Sequence, residues 1–467
     1  MTGPDDDATA SGAHPGDAVG QPLRPTLVVA GRLLLGGTWR RGEVWIEGER
    51  IVRVTATSAE DRSGARRIDV GEDRVIPGIV DAHVHSLSHA HEGIRAATRS
   101  AAAGGVTTIV EMPFDATGPV NTVDRLRAKQ ELADREAHVD VALLGTIEPR
   151  GGWRRAEALA HAGARGFKVS LFDTDPVRFP RIDDRDLLNV SAAVGATGRT
   201  LCAHAENNEI IKALLVEEAG STDVHAHTRS RPPVAEALGV LTAMEIAATS
   251  GSALHLCHLS LPRSVDLALW YRDQGADVTF ETCPHYLTFT SADLETRRGR
   301  LKINPPLREG ADREGLWSRI AAGRVPVISS DHAPWPAELK DHDSILANRS
   351  GAPGVETMAA VTLGGALARG EEVFTRALEA LTIGPARRYG LEGRKGSIEV
   401  GKDADIAVLR TDPDARIDER RLHSRAGWSP YDGVRPGVVV TATIARGTVV
   451  WDAGVGLSST DGRGEVL

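Results

Sequence analysis

Between residues 75 and 384, apolar runs of five to eight residues alternate with longer Ala-, Glu- and Arg-rich stretches, and this alternation leaves few folds open. The runs are IPGIVDAHVH, VTTIVEMP, VDVALLGTI, ARGFKVSLF, TLCAHAE, ALHLCHLS, ADVTFETC and VPVISSDH. A short apolar run followed by a helical stretch is the pattern of a βα unit, and repeated units imply a parallel sheet. Eight of them over ~300 residues fit an α/β chain closed as a (β/α)8 TIM barrel. The rival, an open doubly wound sheet, usually carries Gly-X-Gly-X-X-Gly after its first strand, and that turn is missing. Outside this region the texture is β-rich: TLVVAGRLLL, GEVWIEGE and RIVRVTA on one side, SIEVGKDADIAVL and VVVTATIARGTVVWD on the other. The two ends are therefore expected to meet in one small β-sandwich domain. The expected division is a disordered tail over 1–23, β-sandwich over 24–74, barrel over 75–384, β-sandwich again over 385–455, and a tail over 456–467.

At 467 residues and 41% apolar composition the chain has ample material for a core. A net charge of −9, with no block of Lys and Arg, argues against nucleic acid or an anionic membrane as partner. Three cysteines, Cys202, Cys257 and Cys283, are too few for a disulfide framework and point to a reducing compartment. Residues 1–23 are small, acidic and without an apolar run, unlike a secretory signal, and no uninterrupted apolar stretch is long enough to span a bilayer. A cytoplasmic protein is expected.

In a barrel of this kind chemistry sits at the C-terminal ends of the strands. Here the first strand ends in His83-Val84-His85, the fourth carries Lys168, the fifth ends at His204, the sixth at His258 and the eighth at Asp331. Residues i and i+2 of a strand share a face, so His83 and His85 can converge on one ion. Lys168 interrupts an apolar strand, where an ammonium is costly to desolvate. Two readings stand for it: a lysine snorkelling from the strand end, or one whose pKa burial depresses, so that the neutral amine takes up carbon dioxide as a carbamate able to bridge two cations. Asp331 ends an equally apolar strand and needs a partner, which a metal supplies. Four histidines, a buried lysine and an aspartate on successive strand ends together indicate a binuclear metal centre.

With these residues in view, the chain resembles the cyclic amidohydrolases: allantoinase, hydantoinase or dihydropyrimidinase, and dihydroorotase. PGIVDAHVH, AAAGGVTTIVEMP, GFK, HAEN, HLCHLS, ETCPHYLTF, NPPLR and SDHAP occur in the family's order, and the likeness runs from about Thr26 to Gly447. The resemblance implies two divalent metal ions, usually zinc, with His83, His85 and Asp331 on one, His204 and His258 on the other, and N6-carboxylysine at Lys168 bridging both. It also implies hydrolysis of a small cyclic ureide or imide by a bridging hydroxide, with Asp331 as base and then acid, in a homotetramer or homodimer. Noncatalytic scaffold relatives have lost metal ligands, whereas all six positions are kept here.

Substrate choice is read from smaller signs. Dihydroorotases place an arginine two residues after the second histidine; here it is Leu87. Hydantoinases carry a tyrosine five residues after the lysine; here it is Asp173, as in allantoinase-like sequences. AATRSAAAGGVTTIVEMPFD and SDHAPWPAELK are also most similar to allantoinase, while NPPLR and GAPGVE lean toward the other two and SLSHAH departs from the allantoinase loop. Ring opening of allantoin to allantoate is the first expectation and a hydantoinase-type reaction the alternative. Asn304 is a candidate substrate contact, and His285 and His332 are candidates to orient a ligand or substrate. His89 and His91 are expected in the loop past the metal pair, outside the ligand set.

Overall fold

The computed structural model describes residues 24–56, 64–458 and 463–467, so the expected tail over 1–23 lies outside the described residues. Eight parallel strands appear in chain order: β5 (Ile79–Val84), β6 (Val106–Glu111), β7 (Asp140–Thr146), β8 (Gly166–Ser170), β9 (Thr200–His204), β10 (Leu254–Leu256), β11 (Val278–Thr282) and β12 (Val327–Ile328). A parallel bridge between Val84 and His332 joins the last strand to the first and closes the barrel. Nearly every residue of these strands is buried, because one face packs inward and the other meets the helices; hence the continuous apolar runs in the sequence.

Helix starts follow local chemistry. Thr122, Asp183 and Asn207 each accept a bond from the backbone N–H three residues on, and prolines occupy the first turns at Pro233 and Pro262. The barrel interior is filled by side chains such as Val80, Ala142, Leu144, Cys202, Cys257 and Val327, so it is a packed core.

Both chain ends contribute to a single mostly antiparallel sheet. Its strands are β1 (Leu27–Leu35), β2 (Thr38–Glu47), β3 (Arg50–Ala56), β4 (Arg66–Pro77), β13 (Ile406–Thr411), β14 (Val438–Ala445), β15 (Thr448–Asp452) and β16 (Gly456–Leu457). Leu27, Val29, Val44, Ile46, Ile406 and Ile444 form its own apolar core. Lys395 fastens this sheet to the bottom of the barrel, its Nζ lying 2.5 Å from Asp140, 2.8 Å from Asp403 and 2.7 Å from Asp405.

The closing residues differ from the expected tail over 456–467. β16 pairs with β15, and Val466 bridges Val141 in parallel. Strand β8 pairs with β7 only from Leu144 onward, and Leu467 joins the barrel-interior cluster beside Tyr389 and Leu391. The gain is burial of apolar surface at the barrel floor. Among the described residues no helix is long and apolar enough to cross a membrane.

Candidate metal centre

Strands β5, β8, β9, β10 and β12, with the residues just past them, deliver side chains to one cavity. His83, His85, Lys168, His204, His258 and Asp331 all line it, together with Asn304, Ser88, Trp335 and Gly351. The Nε2 atoms of His83 and His85 lie 3.2 Å apart, with the Asp331 carboxylate 3.4 Å from the first and 3.7 Å from the second. One oxygen and two nitrogens thus form a group able to hold an ion. Across the cavity His204 Nδ1 and His258 Nε2 are 3.1 Å apart, and the His83 and His258 rings are 5.4 Å apart.

The backbone is bent to achieve this. His258 (φ 41°) and Asp331 (φ 47°) occupy the left-handed region, which side chains other than glycine rarely adopt. Each lies just past a short strand, His258 two residues beyond β10 and Asp331 three beyond β12.

Burial makes these imidazoles neutral. It lowers His83 to about 4, with Lys168 adding to the effect, and lowers His204, His85 and His258 as well. A neutral imidazole is the form that ligates metal. Asp331 is pushed up to about 8 by burial, against the pull of Lys168.

Lys168 departs from expectation. Burial works to lower it, but Cys257 and Glu281 act the other way, and its pKa ends above that of a free lysine. Its Nζ is buried without a hydrogen-bond partner, as is His258 Nδ1. Orphaned polar atoms beside facing nitrogen lone pairs fit a cation shared by these groups. A cation there also reverses the Lys168 balance, because a bound ion is the largest local charge.

Sequence reasoning missed the groups that aim the ligands. Glu281, fully buried in β11, accepts from His83 Nδ1 at 2.5 Å and from His255 Nε2 at 3.2 Å. Burial opposes its ionisation, yet His83 and His255 hold its carboxyl well below the usual range. Glu206 accepts from His204 Nε2 at 2.8 Å and pairs with Arg231; burial works to raise it, but Arg231 and then His204 hold it at about 2. Ser88 lies 2.9 Å from His85 Nδ1. Each partner sets which ring nitrogen is left for the ion. The signal was present: Glu206 stands two residues after His204, and Glu281 is a carboxylate inside an apolar strand. Glu281→Gln is expected to weaken metal affinity ~10–100-fold in a chelator competition. Unchanged affinity would assign Glu281 to packing alone.

The remaining candidates separate. His332 is buried at the closure: its carbonyl accepts from His85 N–H, and its Nδ1 accepts from Gly354 N–H at 3.1 Å. His285 is buried against Tyr286 and lowered by burial to about 3, with its Nε2 unpartnered. The Asn304 Oδ1 is also buried without a partner. His89 packs on Trp335, and His91 bonds the carbonyl of Arg425; neither joins the donor group.

Known proteins share this arrangement of strands. An allantoinase of Rubrobacter xylanophilus is 37% identical over 92% of this chain and 96% of its own length. An L-hydantoinase of Paenarthrobacter aurescens is 31% identical over 91% of this chain and 93% of its own. The solved L-hydantoinase (dihydropyrimidinase) from Arthrobacter aurescens superposes with a TM-score of 0.90 at 30% identity, covering 95% of this chain and 99% of that one. The amidohydrolase family model matches residues 74–450, and the chain belongs to the amidohydrolase family.

Proposed function

We propose that this chain hydrolyses a ring amide, opening allantoin to allantoate or a close ureide. The observation that carries the reading is the convergence of five donor side chains, from the ends of four strands, on an unpartnered buried lysine of a fifth. His83, His85 and Asp331 would hold one divalent cation, His204 and His258 a second, and Lys168, carboxylated to N6-carboxylysine, would bridge them. Zinc suits this donor set. Such a pair of cations acidifies water and polarises a carbonyl.

The chain's own groups supply the rest. Asp331 accepts the proton released as water attacks the ring carbonyl and returns it to the ring nitrogen as the C–N bond breaks. Glu206 and Glu281 keep His204 and His83 in the required tautomers.

A second reading, a hydantoin or dihydropyrimidine as substrate, has a specific support: Phe114, Phe179 and Trp335 present apolar rings to the cavity, suited to an apolar ring substituent. A hydrolysis panel of allantoin, hydantoin, dihydrouracil and dihydroorotate tests the proposal. Allantoin is expected to give the highest kcat/KM. Dihydroorotate is expected at least ~10-fold lower, because no arginine lines the cavity among the described residues to pair its carboxylate. A clear preference for dihydrouracil would reject the allantoin reading in favour of the second.

A further inference from the structure

Two backbone segments form the cavity wall beside the donors: one runs through Lys302 to Asn304, the other from Arg349 to Gly351, and Gly351 N–H donates to the Lys302 carbonyl at 2.9 Å. We infer that Lys340 is a positioning residue for substrate, its side-chain Nζ stapling these two segments so that Asn304, Ser350 and Gly351 face the cavity in a fixed frame. This rests on the ring-opening reading above.

Lys340 is 3% exposed, and its Nζ donates to the carbonyls of Lys302 (2.9 Å), Arg349 (2.7 Å) and Gly351 (2.7 Å). An ammonium has three donors and no acceptor, so this cage saturates it. A neutral amine, with two N–H bonds, leaves one carbonyl unmet. No carboxylate joins the cage among the described residues, and burial, with Lys302 beside it, lowers the Lys340 pKa well below that of a free lysine, so the cage of carbonyls is a costly place for the charge. A lysine kept only for packing needs no such arrangement, since an apolar side chain of equal volume fills the space more cheaply.

The cage is part of a closed circuit. Lys340 Nζ lies 5.6 Å from the Trp428 ring; Trp428 Nε1 donates to the Trp335 carbonyl, and Trp335 Nε1 donates to the Ser350 carbonyl, each at 2.8 Å. Lys302 adds a second staple, its Nζ on the carbonyls of Leu346 and Asn348. These links end on the wall or on the residues beside it, Trp335, Leu346 and Asn348, and none ends on a metal-ligating side chain. The wall meets the donors through backbone alone, where Ala352 pairs with His332 and Ala333, so loosening of the Lys340 cage is expected to reach substrate before it reaches the donors.

The test is Lys340→Met in the full-length, metal-loaded protein, with the best cyclic amide of the panel as substrate. Expected are unchanged metal content, kcat within ~3-fold of wild type, KM raised ~10-fold or more, and faster hydrogen exchange confined to residues 302–304 and 337–351. A KM and an exchange pattern like wild type would overturn the inference. So would parallel loss of metal and kcat, which would make Lys340 a general fold residue. Should Lys340→Met fail to fold, Lys302→Met decides by the same readouts, with a smaller rise in KM expected. Wild-type protein that opens no cyclic amide would instead refute the underlying functional reading.

Discussion

Replacing Lys168 by alanine is expected to lower kcat/KM at least ~10³-fold, since loss of several kcal/mol of transition-state stabilisation by paired cations corresponds to that factor. Elemental analysis is expected to show fewer than two ions per chain. Lys168 acts electrostatically on all four histidines, His83 and His85 as well as His204 and His258, and its Nζ satisfies no protein acceptor. As a carbamate it places two anionic oxygens where the bare ammonium has none. Truncation leaves a hollow lined by Cys257 and the histidines, into which acetate or propionate can bring two oxygens. Partial recovery of activity on adding either acid is therefore expected. Activity within a few-fold of wild type would refute the bridge, and full metal content without recovery would move Lys168 from ligation to another task.

How much of this site is legible in the sequence depends on the range of the interaction. His83 and His85 are readable because a strand repeats every two residues, and Lys168 and Asp331 because a charge in an apolar strand is a local contradiction. The same rule finds Glu281 and Glu206 once it is applied to every strand end. Net pKa direction is another matter. Lys168 is raised by Cys257 and Glu281, which are distant in sequence and meet it only through barrel closure. The docking of Val466 and Leu467 at the barrel floor is equally unreadable, since two apolar residues at a chain end carry no periodicity. The Lys340 cage is hidden for a different reason: its acceptors are backbone carbonyls, which every residue possesses.

Asp331→Asn is expected to separate proton transfer from binding. The side chain is held by a left-handed backbone, 9% exposed, with one oxygen 3.4 Å from His83 Nε2. Asparagine keeps its volume and one acceptor oxygen, so the cavity shape and the substrate's contacts persist. What it loses is the capacity to take a proton and give it back. Without a cation, burial places the Asp331 carboxyl at about 8, too high for a base that must be ionised at neutral pH. An opposite charge within a few ångström lowers a carboxyl, which brings the group into the working range. The expected result is a kcat reduced ~10²–10⁴-fold, the usual contribution of a positioned acid–base group, with KM within ~3-fold. Metal content, measured on the same preparation, is expected to stay closer to wild type than in Lys168→Ala, because His83 and His85 still face each other at 3.2 Å. A kcat within ~10-fold of wild type would place the proton acceptor elsewhere. His332 and His285, both buried beside the centre, would then be the next side chains to substitute.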